Sequence, residues 1–171
     1  LGMSQDDIES KWLVLGTNSK TKRTKKTSPS GRPLMGAKGI GRLASATLGK
    51  QLWMFTKTES SLWNIVFINW DIFENPYISI EDVHIPTRFG ISSQELMLRF
   101  DNIITEMLSE QRDNLSHLGW HPEDDMVAPL LTGILENLSQ ASIEKKTVEK
   151  YITSFEKGTI LHIDQLHDDW G

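Results

Sequence analysis

Apolar positions along the chain change period several times, and each change marks a predicted element. Ile8, Trp12, Leu13 and Leu15 recur at roughly helical spacing behind Ser4 and Asp7, which are placed as a capping pair. With Gly16 as a stop, the pattern predicts a helix over about 4–15. Thr17 to Pro33 has no apolar period and predicts a basic loop. A small-residue helix follows over Arg42–Leu48, ending at Gly49. Leu52–Thr58 and Leu62–Trp70 are rich in aromatic and β-branched residues and are separated by Glu59-Ser60-Ser61. They predict two antiparallel strands in which Trp53, Trp63 and Trp70 serve sheet packing. Residues 71–93, with Pro76 and Pro86, predict an irregular connection.

Beyond this connection the helical period dominates. Leu96, Phe100, Ile103, Ile104, Met107 and Leu108 mark an amphipathic helix from Ser93 to about Leu118. A break over Gly119–Asp125 leads to a second helix over Pro129–Ser139. A third spans about 142–156, carried by Ile143, Val148, Tyr151, Ile152 and Phe155. Lys157-Gly158 then turns into a strand, Thr159–Asp164. The pattern alone gives an α+β chain without internal repeats.

Length and composition narrow the class. At 171 residues, with 38% hydrophobic and 24% charged positions, the chain suits one globular domain. No apolar run reaches the roughly 18 residues of a membrane span, and the first residues lack a signal-peptide pattern. A soluble cytoplasmic domain without a membrane partner is therefore expected. The absence of cysteine excludes a disulfide framework, a thiolate zinc site and a cysteine nucleophile. The net charge of -5 is unevenly spread: residues 1–60 carry eleven Lys and Arg against four Asp and Glu, and the remainder seven against nineteen. Such asymmetry suits a first third that handles an anion, or a solvated basic loop beside an acidic body.

The glycine cluster Gly36-Ala37-Lys38-Gly39-Ile40-Gly41 favours the anion. It leads directly into a helix, where free N–H groups and the positive helix end converge, and where missing Cβ atoms admit a phosphate chain. The spacing is neither that of a Walker A loop nor that of the dinucleotide fingerprint. Taken alone, the glycines equally suit a tight turn into a helix packed on a sheet.

The succession Gly2-Met3, helix, Leu15-Gly16-Thr17-Asn18-Ser19-Lys20, basic loop and Met35-to-Ala44 is more specific. It resembles the GHKL, or Bergerat-fold, ATPases: DNA gyrase B, the large heat-shock chaperones, histidine kinases and the mismatch-repair MutL proteins. Leu1-Gly2-Met3 resembles the end of the family's D-x-G-x-G-M box, which meets the adenine. Gly36, Gly39 and Gly41 match its later G-x-x-G-x-G phosphate box. The Leu-Gly-Thr-x-x-Lys segment is similar to the heat-shock-chaperone branch and makes Lys20 a phosphate contact. Lys157-Gly158-Thr159 resembles the late Gly-Thr strand, which places Thr159 near the adenine. Trp70-Asp71 and Leu166-x-Asp168-Asp169-Trp170 resemble a bacterial subgroup of heat-shock-type ATPases. The resemblance covers most of residues 1–70 and 157–171.

What the resemblance implies is an ATP-binding module that couples nucleotide state to shape. Its fold would be a two-layer α/β sandwich, a mixed sheet covered on one face by helices. The cofactor-binding residues would be Gly2, Met3, Lys20, Gly36, Lys38, Gly39, Ile40, Gly41 and Thr159, with ATP and Mg2+ as cofactors. Residues 1–171 would form one partial domain, with 17–35 as a lid that orders around the γ-phosphate and 94–156 as a helical insertion. The family's Glu- and Asn-bearing helix and its adenine-binding Asp fall upstream of Leu1, so the chain reads as an internal fragment. No catalytic residue is assigned, and the magnesium ligand would lie elsewhere. The parent protein would hydrolyse ATP and could act as a homodimer or on DNA.

Other chemistry fares less well. Asp6, Asp7 and Glu9 suit the positive end of the first helix, and Arg42 suits an acidic partner. His117 and His121 are four apart, but Gly119 and Pro122 argue against a shared helix face, so no metal is expected there. His162, His167, Asp168 and Asp169 read as surface residues. Ser45 and Thr47 stand beside no His-Asp arrangement in the sequence, so a hydrolase triad is not supported. The competing function is a non-catalytic nucleic-acid binding module using the six basic residues between Lys20 and Arg32, although that loop has no aromatic residue for stacking.

Overall fold

A computed structural model describes residues 2–13, 45–60, 62–78, 82–121 and 123–167. Two long apolar runs form its centre. Strands β1 (Gly49–Lys57) and β2 (Leu62–Asn69) pair antiparallel, with Phe55 opposite Ile65, and nearly every residue in them is buried. Both faces of these strands are covered, which explains why they read as continuous apolar runs rather than as alternation. Strand β3 (Thr87–Ser92) pairs with β2, and β4 (Gly158–Leu166) pairs with β1. The order is β3-β2-β1-β4, and all these pairings are antiparallel.

One face carries Trp53, Phe55, Trp63, Ile65 and Phe67. Three helices pack on it: α3 (Ser93–His117), α4 (Val127–Gln140) and α5 (Lys145–Ser154). They contribute Phe100, Ile103 and Met107, then Ile134 and Leu138, then Val148 and Ile152. Each of these side chains contributes about 1.5–3 kcal/mol when removed from water. Trp53 lies against Phe67 with ring centroids 4.3 Å apart. The start of α3 is doubly fixed: the Ser92 hydroxyl caps the helix by accepting from Glu95 N–H, and Trp63 Nε1 donates to Ser93 Oγ at 2.9 Å.

The opposite face carries Leu52, Met54, Val66 and Ile68. Ile8 packs onto it from the N-terminal helical segment, in which α1 (Gln5–Asp7) runs on into a wider π turn (Ile8–Trp12). Partly buried side chains, among them Met3, Leu13, Trp70, Phe73 and Phe89, pack against this cluster. The result is a two-layer α/β sandwich with a smaller apolar layer behind the sheet. No helix among the described residues is long and apolar enough to cross a membrane.

Several boundaries differ from the sequence expectation. Residues 71–93 are not an irregular connection throughout, since they contain β3 and most of a 3₁₀ turn, Trp70–Glu74. Strand β3 is half-exposed and interrupted by Gly90, so its alternation is too weak to register. Gly49 directly follows helical residues 45–48 and also opens β1, which therefore starts three residues earlier than expected. A Cβ there would stand 2.7 Å from Asp164 O, so the glycine admits the close approach of β4. Helix α4 begins two residues before Pro129, which sits in the first turn, where its missing N–H costs no helical bond.

Candidate functional site

Three polar side chains line up across the sheet at the end where β1 leaves and β2 and β4 enter. Asn64 faces Thr56, and Thr56 faces Thr159, as directly opposed cross-strand partners. Opposed residues of antiparallel strands share a face. This face is the one carrying Met54 and Val66, on which Ile8 of the π turn packs. Thr56 is fully buried and Asn64 nearly so, whereas Thr159 is half-buried.

The Gly2-Met3 segment crosses this row. Met3 N–H donates to Thr56 Oγ1 at 2.8 Å, and Asn64 Nδ2 donates to Met3 O at 3.0 Å. The peptide is thus held by side chains of two neighbouring strands. Gly2 lies against the β1 backbone, where a Cβ would fall 1.7 Å from Lys57 O. No side chain fits at that position, so the glycine is a condition of the docking.

Thr56 is the hub. Its Oγ1 accepts from Met3 and lies 2.8 Å from Thr159 Oγ1 and 3.3 Å from Gly158 O. Its single proton serves Thr159 or Gly158, so the Thr159 hydroxyl keeps hydrogen-bonding capacity towards the half-open side. Leu161, two residues along β4 and on the same face, is 53% exposed and offers an apolar surface beside that hydroxyl. The neighbouring Lys57 turns the other way: its ammonium donates to Phe155 O at 3.0 Å and stands over the Trp63 ring. Of the expected site residues, the structure therefore brings Gly2, Met3 and Thr159 together. Lys20, Gly36, Lys38, Gly39, Ile40, Gly41 and the 17–35 segment lie outside the described residues, as do Arg42, Asp168 and Asp169.

The entry to α1 is built around the same segment. Ser4 and Asp7 form a reciprocal capping box, in which Asp7 N–H donates to Ser4 Oγ at 3.1 Å and Ser4 N–H to Asp7 Oδ2 at 3.2 Å. The Lys11 ammonium, and after it the Ser4 hydroxyl, hold the Asp7 carboxyl below its usual range. Asp7 is therefore committed to structure.

Helical residues 45–48 (α2) are tied to the end of β4 through His167, whose N–H donates to Leu48 O at 3.1 Å. Its ring Nε2 lies 3.1 Å from Ala46 O. His167 is half-buried rather than a surface residue. His117 ends α3, and Leu118 leaves the helix with extended geometry, so His121 shares no helix face with it. His121 instead pairs with Glu123 at 2.9 Å and lies beside the Tyr77 ring. Among the described residues no three His, Asp or Glu groups stand where they could hold a metal ion.

A cleft of about 260 Å³ opens on the same side of the sheet, lined by Glu9, Leu13, Val83, His84, Ile85, Thr87 and Phe89. At its edge Glu110 receives Arg88 and His84, each at 2.7 Å. Burial alone would push the Glu110 carboxyl up, but the hydrogen bonds and charge interactions with Arg88 and His84 together outweigh it and hold it below the usual range.

The sequence pattern of the family described as Histidine kinase-, DNA gyrase B-, and HSP90-like ATPase matches residues 1–97, more than half of the chain. The chain belongs to this GHKL-type ATPase family. No curated protein and no solved structure matches it. Family membership carries nucleotide-binding ATPase chemistry in general terms, with ATP and Mg2+ as the general cofactors. The matched stretch includes Gly2, Met3, Thr56 and Asn64 but not β4, so the pairing of Thr56 with Thr159 extends the site beyond it. The sequence pattern did not single out Thr56 or Asn64, and it placed His167 at the surface. The available signal was a pair of polar residues, Thr56 and Asn64, placed symmetrically about the β1–β2 turn and bordering the apolar runs Leu52–Phe55 and Ile65–Ile68.

Proposed function

We propose that the chain is the ATP-binding module of a heat-shock-chaperone-type GHKL ATPase. The adenine would lie over Gly2, Met3 and Thr159. The observation that carries this reading is the hydrogen-bonded junction of Met3, Thr56 and Thr159, which brings segments about 150 residues apart into one cradle. A half-buried hydroxyl at Thr159 beside an exposed apolar side chain at Leu161 suits a flat heteroaromatic base with polar edges.

The remaining roles rest on the sequence. Gly36, Gly39, Ile40 and Gly41 would present backbone N–H groups to the phosphates, with Lys20 and Lys38 offsetting their charge. Residues 17–35 would act as a lid and 94–156 as a helical insertion within a single domain, 1–171. Bound ATP supplies the phosphoryl group and Mg2+ offsets its charge, and no described residue is assigned to the metal or to water activation. The cytoplasm, homodimerisation and work on DNA belong to the same reading.

Replacing Gly39 by Trp tests the phosphate loop, because a bulky side chain there would block the backbone from the phosphates. Calorimetric titration with Mg-ATP should show binding by the unaltered chain and none by the variant. Wild-type affinity in the variant would remove the loop from the site. The second reading, non-catalytic nucleic-acid binding through Lys20–Arg32, is favoured by the basic first third of the chain. It calls for steeply salt-dependent binding that does not respond to ATP.

A further inference from the structure

We propose that Asn64 is a positioning residue for the base end of the site, and that a glycine bulge at Gly90 sets which way its amide faces. The inference rests on the nucleotide reading above and goes beyond it to two residues that would touch no nucleotide.

Trp63 pairs with Ile91 and Ile65 with Arg88, so two steps along β2 correspond to three along β3. One extra residue is therefore inserted in β3, and Gly90 within it takes φ 71, a left-handed conformation that L side chains rarely adopt. The bulge turns Gly90 N–H out of the ladder and onto the Asn64 side chain, where it donates to Oδ1 at 3.1 Å.

A backbone N–H bonds only the oxygen end of an amide. With the oxygen committed to β3, the Asn64 NH2 group is left facing Met3, and it donates to the Met3 carbonyl at 3.0 Å. The flipped amide would place its oxygen against that carbonyl and its NH2 against an N–H, losing both bonds. Asn64 is only 8% exposed, so water does not readily replace either partner. The chain of dependence then runs from Gly90 to Asn64, from Asn64 to the Met3 carbonyl, and from the Met3 N–H to Thr56 and Thr159. An edge strand on the far side of the sheet thereby fixes the peptide on which the base would rest.

The test compares ATP affinity in the folded protein, by calorimetry below the unfolding transition, with the unliganded melting temperature. Asn64→Asp keeps the acceptor for Gly90 N–H but turns the donor facing Met3 into a second acceptor. Gly90→Val strains the bulge, although no atom lies within 4 Å of a Cβ there, and Gly90→Asn tolerates the left-handed conformation. Asn64→Asp and Gly90→Val should each weaken ATP binding by about tenfold or more, and Gly90→Asn should bind close to wild type, in keeping with the loss or retention of a buried hydrogen bond. If Asn64→Asp does not fold, the contrast between the two Gly90 variants decides alone. Wild-type affinity in Asn64→Asp or Gly90→Val overturns the proposal, as does Gly90→Asn binding as weakly as Gly90→Val. A purely structural role would lower the melting temperature and leave the affinity of the folded fraction unchanged, which also overturns it. Failure of the unaltered chain to bind ATP defeats the nucleotide reading itself, and this inference with it.

Discussion

Thr56 shows how much a single hydroxyl can organise when it is buried at the crossing of three chain segments. Replacing it with Val preserves shape but leaves Met3 N–H without its acceptor and Thr159 without its partner. An unpaired buried donor costs about 1–3 kcal/mol. Thr56→Val should therefore lower stability by about that amount and weaken ATP binding, while Thr56→Ser, which keeps the oxygen, should restore most of both. Equal behaviour of the two variants in denaturant titrations and in calorimetry would show that the hydroxyl is idle. Gly2→Ala is expected to be at least as damaging, because its methyl group would overlap the Lys57 carbonyl. At this scale the sequence was legible where chemistry is written in glycines, and opaque at Thr56 and Asn64. One polar residue in an apolar strand looks ordinary until the register shows which three strands it joins.

Among the elements, α3 anchors the helical layer, and the segment before it sets the limits of sequence reading. Phe100 of α3 is essentially buried and stacks near Phe55, with centroids 6.1 Å apart. Phe100→Ala should cost about 3–5 kcal/mol in chemical denaturation. A loss under about 1 kcal/mol would show that α3 is not packed on the sheet as described. The long helices were legible because their apolar stripes run over several turns. Strand β3 was not, because Pro86, Gly90 and a half-exposed face break its alternation, and its existence depends on pairing with β2.

The contact between β3 and α3 also carries a pH dependence. Arg88 and His84 hold Glu110 below its usual range in the folded state. A carboxyl depressed in this way contributes stability that is present above its unfolded value of about 4.3 and lost as pH falls through the lower folded value. Arg88→Ala should make the acid limb of the stability profile between about pH 5 and 3 shallower than in the unaltered chain. Superimposable limbs would show that the pair contributes nothing to acid sensitivity.

For the whole molecule, the order of the boxes along the chain was more informative than any one box. Gly2-Met3, the glycine cluster and the late Gly-Thr strand each have ordinary structural explanations, yet together they indicated a family whose pattern matches residues 1–97. The sandwich then brings the first and last of these onto one face, by pairing β4 with β1 rather than by any local signal. What the sequence did not show is that the cradle is held from below by Thr56 and from the side by Asn64. Those contacts follow from register and from a bulge, neither of which leaves a periodic trace in the residues.

The central claim is that this junction forms the base end of an ATP site, and a thermal-unfolding scan with and without Mg-ATP tests it most directly. A ligand that binds only the native state must stabilise it, by about 2.7 kcal/mol at a concentration roughly a hundred times Kd, which for a chain of this size is a rise of roughly 5–10 °C. The expected result is a cooperative transition that rises with Mg-ATP in the unaltered chain and rises much less in Thr56→Val. A cooperative transition that saturating Mg-ATP leaves unmoved in the unaltered chain would contradict it.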